Sequence, residues 1–587
     1  MSASASSHGG DELTNLGLIL LISGVVLAAV LRVAGHLAAL MSHVEAPTSG
    51  LAAGVKVLIT PADPATALGA PGLSPVPYWA VVGALLAVLG AGAFAVWRVF
   101  RRETTKTPRD PHQLAGTATG RDVANAASTR ALLARSGTLR PSLTKPAPSD
   151  VGYLLGTARG KKVWASVEDS VLVLGPPRSG KGLHLVINSI LDAPGPVITT
   201  STRPDNLTAT MKARERRGPV AVFDPQHLAE GLPSGLRWSP VRGCENPLTA
   251  MIRATGFSSA TGLSTGGVES GGFWEGKTRT ALQALLHAAA LGQCTPRDLF
   301  AWSLSPSAAA DAVAILSSNP RAAPGWAESL ESTIGSDPRT RDSIWMGVSL
   351  ALTCLADPRV LDAVTPRDGE SFDPAEFLRS DGTLYLLSTG AGASASWSLV
   401  AAFIEDLVET SRTLAAASAG ARLDPPLLLA LDEIGNLSPL PSLPVLMAEG
   451  GGTGITTMPV LQSLSQARAK WGDHNAGAIW DASIVKVVLG GASVAKDLQD
   501  VSALIGERDD VTDNVSVGDG SRSVQRSVRR VPVMPPETIR MLPFGTALVL
   551  LRSAPSVVTD LRAWTKRPDA ARLATERGAV EQCLRRG

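Results

Sequence analysis

Two long apolar stretches, about residues 13–33 and 78–97, the second uncharged throughout, lie near the start of the chain, and no later run is as long. Each holds about 20 residues, enough for a helix rising about 1.5 Å per residue to cross the hydrocarbon of a bilayer. The pattern predicts two membrane-spanning helices. Asp11 and Glu12 precede the first stretch, without Lys or Arg, which is the reverse of the charge a cleaved signal peptide carries. Arg98, Arg101, Arg102, Lys106 and Arg109 follow the second, whereas the intervening loop, 41–77, has Lys56 as its one strong cation. By the positive-inside bias, the N-terminus and everything after the second span are expected in the cytoplasm and the loop outside. Trp79 and Trp97 flank the second span, where an indole suits the membrane interface. Together these residues, 1–102, form the expected anchor.

Residues 103–150 are rich in Thr, Ser, Ala, Arg and Pro, show no sustained apolar period, and predict a linker. Short continuous apolar runs follow at 171–174 and 427–431, and further short β-rich runs at 197–200, 220–223, 384–387, 455–461, 484–489 and 547–551, separated by segments of helix length. A strand apolar at every position is one covered on both faces, so the alternation predicts a mostly parallel α/β sheet.

Composition agrees with this mixed organisation. Hydrophobic residues at 44% and charged residues at 18% are too apolar for a wholly soluble enzyme and too polar for a transporter without a large soluble part. The 587 residues allow an anchor and two or more domains. Lys and Arg (54) nearly cancel Asp and Glu (52), so any attraction to nucleic acid must come from local clusters. Two are present: Lys212, Arg214, Arg216 and Arg217, and Arg522, Arg526, Arg529 and Arg530. Each alone reads as a solvated face, but repeated copies lining a pore would focus their field on a phosphate backbone. The cysteines (Cys244, Cys294, Cys354, Cys583) and the histidines are scattered singly, which predicts reduced thiols and no structural metal.

Chemistry concentrates at the first short strand. After the run 171–174 come Gly175, Pro176, Pro177, Arg178, Ser179, Gly180, Lys181 and Gly182, then Leu183, Val186, Ile187 and Ile190 at helical spacing. Strand, glycine turn and helix in that order make a phosphate-binding loop, in which backbone N–H groups wrap the phosphates, the lysine ammonium reaches the β and γ oxygens, and the helix N-terminus adds its dipole. The position after the lysine, where a hydroxyl ordinarily ligates Mg²⁺, is Gly182. Far downstream, the apolar run 427–431 ends in Asp432 and Glu433. The first is suited to hold Mg²⁺ and the second to activate the attacking water. Gln462, at the end of the run 455–461, is a candidate sensor of the γ-phosphate if its strand neighbours that acidic one; an ordinary strand-end glutamine is the other reading of its position.

At these residues the chain resembles the type IV secretion coupling proteins, the TraG/TraD family of conjugative ATPases. The resemblance rests on GPPRSGKG (175–182), STRPDNL (201–207), VAVFDP (220–225), RWSP (237–240), LLLALDEIGNL (427–437), LQSLSQ (461–466) and VVLGG (487–491). Glycine after the loop lysine is usual in that family. The resemblance implies a RecA-like P-loop domain in two parts, 151–245 and 369–565, interrupted by an all-α inserted domain, 246–368, and followed by a tail, 566–587. The tryptophans of the insertion, Trp274, Trp302, Trp326 and Trp345, lack interleaved cations and are expected in helix packing rather than base stacking. It further implies ATP and Mg²⁺ as ligands, a homo-hexamer at the inner face of the bacterial cell membrane, and delivery of single-stranded DNA, relaxase-bound nucleoprotein or effector proteins to type IV secretion channel components. Where that family carries an arginine ahead of the strand bearing Gln462, this chain has Gly450, Gly451 and Gly452. Two other readings stay open: an FtsK-like pump for duplex DNA, and a nucleotide-binding membrane receptor that does not turn over.

Overall fold

A computed structural model describes residues 8–50, 52–104, 110–232, 235–264, 270–367, 369–370, 372–389, 396–437, 439–518 and 521–586; the side chains of 8–23, 96, 98–104, 512–518 and 521–525 are outside the description. The chain divides into two compact units, Met1–Arg109 and Asp110–Gly587.

In the first unit the helices His8–Met41 and Pro75–Thr104 pack together, and windows within them, Gly24–Met41 and Pro75–Ala95, are long and apolar enough to cross a membrane. Leu31, Ala34 and Ala38 are buried with Val57, Leu68, Tyr78 and Val82, and the Tyr78 hydroxyl donates to Leu31 O at 3.1 Å. Leu86, Val88, Leu89 and Phe94 stay exposed, an apolar surface suited to lipid. Two short helices, Ala52–Ile59 and Pro64–Leu68, fold the connecting loop onto the pair, and a Cβ on Gly54 would lie 2.4 Å from Ala28 O. Arg98, Arg101, Arg102, Lys106 and Arg109 lie outside the described side chains.

The second unit is organised by strands β1 (Gly152–Ala158), β2 (Lys161–Ser166), β3 (Val171–Leu174), β4 (Val197–Ser201), β5 (Val220–Phe223), β6 (Thr383–Leu387), β7 (Leu427–Leu431), β8 (Ile455–Leu461), β9 (Val485–Leu489), β10 (Glu507–Gly518), β11 (Ser521–Pro532), β12 (Thr546–Leu551) and β13 (Val557–Leu561). Among the described residues, eleven of them make one sheet in the order β2-β1-β13-β12-β9-β3-β8-β7-β4-β6-β5. From β9 to β5 every pairing is parallel; β12, β13, β1 and β2 close one side antiparallel. Alternate residues of the central strands feed separate cores. Leu172, Ile198, Leu427, Leu429 and Leu461 face one, and Val171, Val173, Leu428, Val460 and Val487 the other. That two-sided burial is why β3 and β7 are apolar throughout.

Between β5 and β6 the described chain runs through helices, from Pro247–Ser259 to Pro358–Ala363. Trp302 and Trp345 are buried there, and Trp274 and Trp326 pack half-buried against the same core. The helices are tied to the sheet through Trp238, which stacks on Phe403 at 4.4 Å with planes 15° apart and donates its indole N–H to Asp406. Asp406 in turn pairs with the buried Arg253 at 2.7 Å.

Two segments differ from the expectation. Residues 110–150 are not a tether: short helices, one closed by a capping box at Thr119 and Asp122, bury Val123, Ala127, Leu132 and Leu139 against the strands β1 and β2. Apolar residues spread over helices of four to seven residues produce no sustained period, which is why the packing escaped the pattern. Residues 566–587 are not a free tail either. The helix Ala570–Leu584 buries Leu573 and Val580, and its Glu576 accepts from Arg216 at 2.7 Å.

Candidate functional site

Parallel strands put their carboxyl ends on one edge of a sheet, and here four neighbours, β3, β8, β7 and β4, bring the singled-out residues to that edge. β3 runs into Gly175, whose N–H donates to Leu461 O at the end of β8 (3.0 Å). The loop then turns through positive φ at Arg178 (62°) and Gly180 (87°). Ser179 closes it by donating from Oγ to Pro176 O at 2.8 Å. Lys181 Nζ donates to Gly175 O (2.6 Å) and Pro176 O (2.9 Å), so the ammonium lies across the loop. The helix beyond opens with a wide turn in which Ile187 N–H reaches Gly182 O.

β7 ends in Asp432 and Glu433, the latter at φ 52°. Asp432 Oδ2 accepts from Asn206 Nδ2 at 3.1 Å, and its backbone carbonyl accepts from Thr200 Oγ1 at 2.8 Å. Glu433 Oε2 accepts from Thr202 Oγ1. Burial pushes the Asp432 carboxyl up to about 6; the Asn206 bond opposes that shift, the Glu433 charge adds to it, and the Lys181 charge opposes it. Lys181 is the mirror case, its ammonium lowered by burial and supported by Asp432 and Glu433. The lysine and both carboxylates therefore lie within one another's fields.

Gln462 follows β8, the strand between β3 and β7, and lines a cleft with Gly175, Pro176 and Pro177. Gln466 Oε1 accepts its N–H at 3.0 Å and Gln466 Nε2 donates to Asn436 at 2.7 Å, so the strand end is held from behind.

Asn206 belongs to the STRPDNL segment, 201–207. It is buried, and a Cβ built on Gly182 would lie 3.9 Å from its Oδ1. A polar side chain thus stands beside the position that lacks a hydroxyl; only the neighbouring of β4 and β7 brings it there, which no local signal carries. The glycines of VVLGG, after β9, have a steric reason: a Cβ on Gly490 would sit 2.2 Å from Leu542 O, and Gly491 N–H donates to Arg540 O at 2.8 Å. Gly450 and Gly451 are closed in the same way, by Leu446 O at 2.6 Å and by Glu168 O.

The first basic cluster is largely committed elsewhere. Arg214 is buried, donating to Thr383 Oγ1 (2.7 Å), Ala193 O (2.9 Å) and Gly195 O (2.7 Å), while Lys212 pairs with Glu215 and Arg216 with Glu576. Arg526, Arg529 and Arg530 stand on β11 opposite Asp513, Asp510 and Asp509 of β10, in a two-stranded ribbon. Of these, Arg530 comes within 3.9 Å of Asp509, and Asp510 is paired with Arg508 of its own strand. Arg522 lies outside the described side chains.

Fold and edge geometry define a RecA-like P-loop NTPase domain with a helical insertion, preceded by two helices fit to cross a membrane. The family described as Type IV secretory system Conjugative DNA transfer matches residues 122–291, and that described as TraM recognition site of TraD and TraG matches 426–544. Taken in order along the chain, these matches support a type IV secretion coupling protein. Among solved structures, the bacterial conjugative coupling protein TrwBdeltaN70, unbound, aligns with TM-score 0.53 at 19% identity, over 74% of this chain and 93% of that one. TrwB in complex with the ATP analogue ADPNP gives 0.53 at 19% (73% and 92%), and TrwB with ADP and Mg²⁺ gives 0.51 at 18% (74% and 94%). No curated protein matches in sequence.

Proposed function

We propose that the chain binds ATP with Mg²⁺ at this edge and hydrolyses it, as a homo-hexamer anchored in the bacterial inner membrane, to deliver single-stranded DNA, relaxase-bound nucleoprotein or effector protein into a type IV secretion channel. The observation that carries the reading is the convergence of Lys181 with Asp432 and Glu433 at the carboxyl ends of the parallel strands β3 and β7, which flank β8, supported by the nucleotide complexes of TrwB.

The N–H groups of residues 175–182 cradle the phosphates and Lys181 exchanges its loop carbonyls for β and γ oxygens. Asp432, with Asn206 Oδ1 facing Gly182, offers the oxygen donors a hard divalent cation takes, so the residues present fit Mg²⁺. Bound there, Mg²⁺ would neutralise charge developing on the phosphates. Glu433, oriented by Thr202, takes the proton of the attacking water, and Gln462 reads the γ-phosphate from the strand between.

Full-length protein in detergent, assayed for phosphate release with single-stranded DNA present, tests this. Lys181→Ala is expected to lose ATP binding and turnover together; Glu433→Gln is expected to keep binding and lose about 100-fold or more of the rate. Unchanged turnover in both variants rejects the site. Greater stimulation by duplex than by single-stranded DNA would select the FtsK-like pump. The crowding at Gly450 and Gly451, which leaves no arginine there, favours as second reading a receptor that binds nucleotide without turnover, recognised by tight ATP binding with no phosphate released.

A further inference from the structure

The acidic strand end lies on one side of the phosphate loop, and an exposed aromatic ring lies on the other. β7, with Asp432 and Glu433, is separated from β3 by β8; on the opposite side β3 is followed by β9 and then by antiparallel β12. Because β12 runs backwards, its amino end, led by Phe544 and Gly545, shares the edge that carries the loop. A triphosphate whose γ end points to the carboxylates must leave its nucleoside on the β9–β12 side.

Phe544 occupies that side. It is 67% exposed although it belongs to a well-packed unit, and a Cβ on Gly180 would come within 2.9 Å of its ring. Its edge rests on His184 at 5.1 Å with planes 70° apart. His184, 5% exposed, is fixed by the contact of its Nδ1 with Gly180 O at 3.0 Å. From behind, Leu561 N–H donates to Gly545 O at 2.8 Å, and Gly545 holds φ 84°, close to the His184 ring. The bare strand-end glycines Gly490 and Gly491 admit the Arg540–Leu542 backbone that leads to this turn. The ring is thus positioned by the phosphate loop itself, with its surface left to water. An aromatic face held beside a phosphate cradle is suited to a heterocyclic base, since every base offers a π-face to stack.

We propose that Phe544 is the platform on which the nucleobase of the bound nucleotide stacks, with His184 bracing the ring against the phosphate loop. The proposal rests on the nucleotide reading above and adds to it a base subsite that the phosphate-binding residues do not supply.

Binding of ADP, ATP and inorganic tripolyphosphate to the full-length protein in detergent, by calorimetry, separates base from phosphate recognition. Phe544→Ala is expected to weaken ADP and ATP about tenfold or more and to leave tripolyphosphate unchanged. Phe544→Trp is expected to keep ATP affinity and to show indole quenching, relative to wild type, with ATP but not with tripolyphosphate. Unchanged ATP affinity in Phe544→Ala overturns the proposal, as does equal weakening of tripolyphosphate, which would make the ring a support of the loop. Wild-type protein that binds tripolyphosphate no better than Lys181→Ala would instead reject the nucleotide site itself.

Discussion

Asp432 and Glu433 are adjacent carboxylates in different surroundings, and the difference has a measurable consequence. Asp432 is held by Asn206 and raised to about 6 by burial, while Glu433 sits at positive φ against Thr202. With its folded pKa raised, Asp432 keeps its proton up to about pH 6, whereas the unfolded carboxyl releases it near 3.8. The stability this contributes is fully present below pH 3.8 and is lost as pH rises through 6. Asp432→Asn does not titrate, so without nucleotide its stability gain over wild type should grow between about pH 4 and pH 7 and then level off, at on the order of 1–3 kcal/mol. Denaturant unfolding of both proteins across that range reads the difference. A gap that does not change with pH would mean the carboxyl is not desolvated as described.

At the scale of elements, the helix Asp205–Arg214 looks from its sequence like a basic surface, yet its last arginine is a structural clamp. The Arg214 guanidinium joins the helix to the turn before β4 and to the start of β6, and burial brings its pKa down to about 10. Removing it leaves three buried acceptors without a donor, each costing about 1–3 kcal/mol. Arg214→Ala is therefore expected to destabilise the fold by about 3 kcal/mol or more, and Arg217→Ala, at an exposed position, by about 0.5 kcal/mol or less. Thermal unfolding of the two variants decides; equal small effects would return Arg214 to the surface. The RWSP motif has a comparable explanation. Trp238 is a packing anchor between Phe403, Arg253 and Asp406, and so fastens the helical insertion to the rest of the domain.

For the whole molecule, the consequence lies in what one chain leaves out. Gly450 and Gly451 sit against backbone carbonyls and leave no room for a side chain. If assembly completes the site through another group, turnover per chain should fall steeply on dilution below the assembly range while ATP affinity stays nearly constant. Phosphate release followed across a dilution series, with DNA in excess, tests this; a rate per chain independent of concentration would mean each chain is catalytically complete.

The features legible along the chain were local. Glycines and a lysine between a strand and a helix, an apolar strand ending in two acids, and spans of bilayer length are each set by neighbours along the chain, so all were legible before any fold was known. The parallel central strands were legible too, because burial on both faces leaves them without polar alternation. Tertiary structure alone decided which strands became neighbours, and with that everything spanning long separations: Asn206 beside Gly182 and Asp432, Phe544 beside Gly180, Arg214 spent on carbonyls and a hydroxyl, and the arginines of β11 opposite aspartates. The physical reason is that a side chain's partner across a sheet depends on strand order and register, which are fixed by the packing of the whole core and leave no periodic trace in the segment itself.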